Sequence, residues 1–156
     1  EHDVILIADE CYSEIYADEA APPVGLLQAA AAMGNTSFKQ CLAFNSLSKR
    51  SNLPGLRSGY AAGDADLIQQ FLLYRTYHGS AMPVHTQKLS ALAWSDEDHV
   101  IENRALYRTK TEAFIQTLAP VWPITPPAAS FYLWPETPVD DEAFTQNLMR
   151  LCNIKV

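Results

Sequence analysis

Cys41-Leu42-Ala43-Phe44-Asn45-Ser46-Leu47-Ser48-Lys49-Arg50-Ser51-Asn52-Leu53-Pro54-Gly55-Leu56-Arg57-Ser58-Gly59-Tyr60 is the stretch on which the reading of this chain turns. It opens as a short apolar strand, Cys41 to Asn45, and runs directly into two hydroxyls, an amine and, eight residues beyond the amine, the guanidinium of Arg57. In an open α/β sheet, ligands sit beyond the carboxyl ends of the strands, so polar residues that follow an apolar strand are the first candidates for a site. A second place has the same grammar: Val4-Ile5-Leu6-Ile7-Ala8 is a continuous apolar run followed by Asp9-Glu10-Cys11-Tyr12.

Outward from these two edges the chain alternates. An unbroken apolar run such as Val4 to Ala8 predicts a strand buried in the middle of a parallel sheet. A short Ala-rich helix is expected near Leu26 to Met33, then the strand Cys41 to Asn45 and a third strand over Gly59 to Ala62. Asp64 is placed to cap a helix that continues to about Tyr77, because its carboxylate can accept from first-turn amides. Pro83 starts a helix through about Trp94. Ser95-Asp96-Glu97-Asp98 opens a long helix ending near Leu118, where Pro120 and Pro123 break it. Beyond that point Phe131 to Trp134 is expected as a strand, Asp140 to Leu151 as a helix and Ile154 onward as another strand, a second and smaller α+β unit. The chain opens on a core strand and stops as a new one begins, which predicts a sequence cut at both ends.

Composition bounds the function. With 156 residues, 48% of them hydrophobic, the chain is long enough to bury one core or two small ones. Eleven Lys and Arg against 18 Asp and Glu give a formal charge of -7, which repels a phosphate backbone or an anionic membrane and argues against nucleic acid as a partner. No stretch approaches the roughly 20 apolar residues needed to span a bilayer, and Glu1-His2-Asp3 has the wrong sign for a secretory leader, so a cytosolic protein is the default expectation. Three cysteines, Cys11, Cys41 and Cys152, form no C-x-x-C pair and read as reduced thiols, while His2, His78, His85 and His99 are scattered without ligand spacing, so no metal site is expected. Trp94, Tyr107, Phe114, Phe131, Tyr132 and Trp134 read as core aromatics.

The residues after the two strands have one coherent use. Lys49 can condense with an aldehyde only when unprotonated, so its ordinary pKa of about 10.4 must be lowered by burial or a cationic neighbour, for which Arg50 and Arg57 are the candidates. Arg57 can grip a phosphate bidentately, with Ser46 and Ser48 donating to the remaining oxygens. Asp9 can keep a pyridinium nitrogen protonated, which makes such a ring an electron sink, and Tyr12 can donate to a ring oxygen. Singly, each residue has an ordinary structural reading as a turn former, cap or solvated charge; together, at these spacings, they describe a site for an aldehyde that carries a phosphate.

Asp9 to Tyr12 and Ser46 to Tyr60 resemble the two signature stretches of class I/II aminotransferases, enzymes of pyridoxal-phosphate (PLP) fold type I. The resemblance implies an α/β fold, with a partial large domain built on a mostly parallel sheet over residues 1–94 and a linking helix plus partial small α+β domain over residues 95–156. It implies pyridoxal 5'-phosphate as cofactor, with Lys49 as the catalytic lysine that binds it covalently, Asp9 on its ring nitrogen, Tyr12 on its phenolic oxygen, and Ser46 and Arg57 on its phosphate. Amino-acid and oxo-acid substrates and a homodimer with active sites at the subunit interface follow from the same resemblance.

A narrower resemblance lies in Phe71 to Met82 and Asn103 to Arg108, which look like the N-succinyldiaminopimelate aminotransferases of bacterial lysine biosynthesis. It implies amino-group exchange between glutamate and N-succinyl-2-amino-6-oxopimelate, with Lys49 moving the proton. In that family a longer N-terminal part supplies an aromatic residue over the cofactor ring, an Asn near its phenolic oxygen and a phosphate loop, and a later Arg binds the substrate carboxylate. None of these is assignable here, so the chain alone is expected to be inactive. Two alternatives share the same residues: a PLP-dependent carbon-sulfur lyase of the same fold, and a non-catalytic aminotransferase-like binding module.

Overall fold

The computed structural model describes residues 3–156; the readings that involve Glu1 and His2 lie outside the described residues. A three-stranded sheet carries the fold, in the order β1 (Leu6–Asp9), β2 (Cys41–Ser46), β3 (Gly59–Gly63). β1 and β2 run parallel with Asp9 opposite Phe44, while β2 and β3 run antiparallel with Ser46 opposite Gly59. The expected mostly parallel sheet is therefore mixed among the described residues. The cause is the short connection Leu47 to Ser58, which turns back on itself and is closed by the Leu47 N–H donating to the Ser58 carbonyl at 3.0 Å. A parallel return needs a longer crossover, such as the one through α1 (Leu26–Ala32) that joins β1 to β2.

Close approach at the β2–β3 ladder accounts for one glycine. A Cβ on Gly59 would stand 2.5 Å from the Asn45 carbonyl oxygen, so the strand can begin beside Ser46 only without a side chain.

The helices start where side chains satisfy their first amides. Glu10 reaches across to accept from the Leu26 N–H at the start of α1 at 2.6 Å. Asp64 caps α3 (Ala65–His78), accepting from the Asp66 and Leu67 N–H groups, and its other oxygen accepts from the Gln40 N–H at 2.7 Å, which ties that helix to the entry of β2. α4 (Val84–Ser95) follows Pro83, and α5 (Asp98–Leu118) ends before Pro120. Asp140 caps α6 (Asp141–Cys152), which stops at Asn153 in the left-handed conformation. α2 (Leu47–Arg50), a single turn directly after β2 where the Ser46 hydroxyl accepts from the Ser48 N–H, was not anticipated from the sequence.

β2 is the central strand, with Cys41, Leu42 and Ala43 buried against Ala30 of α1, and Leu47 and Val100 are the most deeply buried large side chains. Among the described residues β1 pairs on one side only, and its Ile7 is 68% exposed. Two further expectations are corrected. Phe131 to Trp134 and the residues from Ile154 onward are not strands, since no neighbouring backbone among the described residues offers them a ladder. The first of these segments is instead held by an isolated antiparallel bridge just before it, Tyr16 to Ala129, with the Ser130 N–H donating to the Ile15 carbonyl at 2.7 Å. No helix among the described residues is long and apolar enough to cross a membrane.

Candidate active site

Strand direction delivers three segments to one edge. β1 and β2 are parallel, so the residues after Asp9 and after Ser46 leave the sheet at the same side; β3 is antiparallel, so the residues before Gly59 arrive there too. The Glu10 N–H donates to the Phe44 carbonyl at 2.8 Å, extending the ladder one step further and fixing how far apart the two exits stand. At this edge lies an open cleft of about 440 Å³ lined by Asp9, Cys11, Tyr12, Ser46, Ser48, Lys49, Arg57, Ser58 and Gly59. All six residues expected from the sequence border it. Glu10, the neighbour of Asp9, points the other way to the start of α1, as the alternation of an extended segment requires.

Each side chain is set by local structure. Asp9 accepts from the Cys11 N–H at 3.1 Å, and the Cys11 thiol and then this N–H hold its carboxyl below the ordinary carboxylate range. Burial pushes the Cys11 thiol up. The Tyr12 hydroxyl shares a hydrogen bond with the Tyr132 hydroxyl at 3.2 Å, which, with burial and the nearby acidic groups, pushes its pKa up to about 12. Ser46 accepts from the Ser48 N–H at 3.3 Å as the cap of α2, and its own N–H donates to the Asn45 side chain at 2.7 Å. Arg57 is held in the left-handed conformation, φ 53°, a costly backbone state for a non-glycine residue, with its guanidinium donating to the Pro54 carbonyl at 2.7 Å.

Arg50 does not face the cleft. Its guanidinium donates to the Ala93 carbonyl at 2.9 Å and pairs with Glu97, with Trp94 beneath it at 5.0 Å, so it joins α2 to the end of α4 and is not a cationic neighbour of the Lys49 amine. Arg57 is the cation that lines the cleft with Lys49.

Four contributors were not anticipated. Cys11 and Ser58 line the cleft, and the Ser58 hydroxyl is buried without a hydrogen-bond partner in its wall. Phe131 lies 5.2 Å from the Lys49 amine with its ring facing the ammonium, and stacks on Tyr107 of α5, while Tyr132 engages Tyr12. Ser58 is adjacent to a residue already singled out, so its place was legible. Phe131 and Tyr132 are more than eighty residues from Lys49, and nothing local in the sequence signals that the bridge at Tyr16 and Ala129 brings them back.

The donor set suits a phosphorylated aromatic aldehyde. An amine, a cation, several hydroxyls, one of them orphaned, a carboxylate and a phenol line one cleft. These residues fit pyridoxal phosphate.

Comparison with known proteins shows the family of the chain. The family model described as aminotransferase class I and II matches residues 1–156. An aminotransferase of Neisseria meningitidis Z2491 is 55% identical with a TM-score of 0.87, over 97% of this chain and 38% of that one. A putative aminotransferase, AatC, of Rhizobium meliloti is 31% identical over 88% of this chain and 33% of its own length. LL-diaminopimelate aminotransferase 2 of Trichormus variabilis is 31% identical over the whole of this chain and 40% of its own. The chain thus spans between a third and two-fifths of the length of each of these three proteins.

Proposed function

The chain belongs to the class I and II aminotransferases, whose cofactor is pyridoxal 5'-phosphate, and from that premise we propose that it carries the lysine-bearing half of a transaminase site. The observation that supports this best is the convergence of Asp9, Tyr12, Ser46, Ser48, Lys49 and Arg57 on one cleft from segments far apart in the chain.

Lys49 would hold the cofactor covalently through its aldehyde carbon, Arg57 with Ser46 and Ser48 would hold its phosphate, Asp9 its ring nitrogen and Tyr12 its ring oxygen. When bound, the cofactor supplies an electron sink for the electrons of a broken bond at the substrate α carbon. The protein residues divide the remaining work. Asp9, kept ionised by its hydrogen bonds, is placed to hold a proton on the ring nitrogen. Arg57 and the serine hydroxyls anchor one end so that the amine meets the other at fixed distance, which converts a bimolecular encounter into a positioned one. Lys49, once its amine is free, is the base placed to take a proton from the substrate and return it. Tyr12, now hydrogen-bonded to Tyr132, would donate to the ring oxygen.

For the whole protein we propose a homodimeric cytosolic enzyme, with residues 1–94 in the cofactor-binding domain and residues 95–156 in the linking helix and smaller domain, acting on amino and oxo acids. The finer reading is glutamate-dependent amination of N-succinyl-2-amino-6-oxopimelate. It is supported by the resemblance of Phe71 to Met82 and Asn103 to Arg108, and by a relative named for diaminopimelate, which shares the pimelate skeleton.

Mixing the chain with pyridoxal phosphate, reducing with borohydride and mapping the pyridoxyl group by peptide mass spectrometry tests the site. The expected result is one dominant adduct, on Lys49. Labelling spread evenly over Lys39, Lys49, Lys88, Lys110 and Lys155 sinks the reading.

A further inference from the structure

Lys49 rides on a helix too short to hold itself. α2 is a single turn, and fixing a turn for the few hydrogen bonds it makes is unfavourable without outside support. Its N-terminus is secured by Ser46 and by the Leu47 N–H bond to Ser58. At its other end the Leu47 carbonyl accepts from the Ser51 and Leu53 N–H groups at 3.1 and 3.2 Å, which leaves the carbonyls of Lys49 and Arg50 to find donors elsewhere. Both find the same one: the Asn103 side-chain amide, from the middle of α5, donates to the Lys49 carbonyl at 3.1 Å and to the Arg50 carbonyl at 3.4 Å. Two carbonyls only accept, so the group facing them is the NH₂.

The next residue fixes the segment that follows Tyr12. Arg104 is buried, donates to the Glu14 carbonyl at 3.0 Å, pairs with the Glu14 and Glu19 carboxylates at 2.9 Å each, and lies 4.0 Å over the Tyr16 ring. Glu14 and Tyr16 belong to the segment that continues from Asp9 and Tyr12. Consecutive residues of one helix therefore hold the turn that bears Lys49 and the loop that bears Tyr12.

We propose that Asn103 is a positioning residue for Lys49, fixing the backbone of α2 from a helix that Arg104 anchors to the segment that follows Tyr12. This deepens the reading of Lys49 as the cofactor lysine and rests on it. Asn103→Asp removes the donor with little change of shape and sets a carboxylate against two carbonyl oxygens; Asn103→Leu removes it with an apolar side chain. Pyridoxal phosphate and borohydride are the probe, and the readout is the ratio of adduct on Lys49 to adduct on the other four lysines of the same molecule.

Both variants are expected to lose about tenfold in this ratio, the scale of one net hydrogen bond, while far-UV circular dichroism is unchanged. A merely structural role would lower the melting temperature and leave the ratio alone, and an unchanged ratio overturns the proposal. If the unsubstituted chain itself shows no preference for Lys49, the cofactor reading fails and amide exchange decides the positioning claim. Faster exchange at Ser51 and Leu53 in Asn103→Leu, with β2 unaffected, supports it; unchanged exchange there overturns it.

Discussion

The edge of the sheet that forms the cleft and the stretch after Leu118 have similar sequence character, each mixing apolar runs with Pro, Ser and aromatic residues, yet they settle differently. At the cleft every element has a neighbour. β2 lies between two strands, Leu47 is fully buried, and α2 is closed at both ends. After Leu118 the apolar run Phe131 to Trp134 has no ladder, and Trp134 is 93% exposed. A hydrophobic pattern states what a segment can pair with; order comes from the partner being present.

Three substitutions probe this contrast. Leu47→Ala is expected to have the largest effect, a loss of about 3 kcal/mol in denaturant unfolding, because a fully buried leucine leaves a cavity as well as losing its own transfer energy. If the loss were close to zero, the cleft edge would be no better packed than the later stretch and the contrast would collapse. Tyr132→Phe comes next and acts where the two regions touch. The hydroxyl of Tyr132 is the main cause that pushes the Tyr12 phenol up to about 12, so its removal is expected to bring that pKa down toward the ordinary value of 10, read from phenolate absorbance. The sign follows from the raised pKa: the contact contributes stability below pH 10 and loses it as pH rises toward 12, and the contribution is small because the pair is exposed to solvent. An unmoved titration would place the raised pKa elsewhere. Trp134→Ala is expected to do least, within about 0.5 kcal/mol in the same unfolding assay, since an exposed side chain has little burial to lose. A larger loss would show that Trp134 itself is packed in solution.

The elements legible from sequence were those with local causes. Asp64 and Asp140 announce α3 and α6 because a capping carboxylate acts on amides two or three residues away. Pro83 and Pro120 bound α4 and α5 for equally local steric reasons. The six cleft residues were legible because each follows or precedes a strand end, and parallel pairing of β1 with β2 puts such ends together. What escaped was non-local. The direction of β3 depends on how the Leu47 to Ser58 connection folds back, the turn of Arg50 away from the cleft depends on Ala93 and Glu97, and the approach of Phe131 to Lys49 depends on a bridge between residues Tyr16 and Ala129.

The sequence by itself determined the chemical inventory of the cleft and the spacing of its parts along the chain, since side-chain chemistry and strand-end positions are properties of short segments. Only the tertiary structure decided which groups hold that inventory in place: Asn103 on the Lys49 turn, Arg104 on the loop of Glu14, Tyr132 on Tyr12. Contacts between residues so far apart depend on how whole elements pack, and no short-range preference in the chain encodes them.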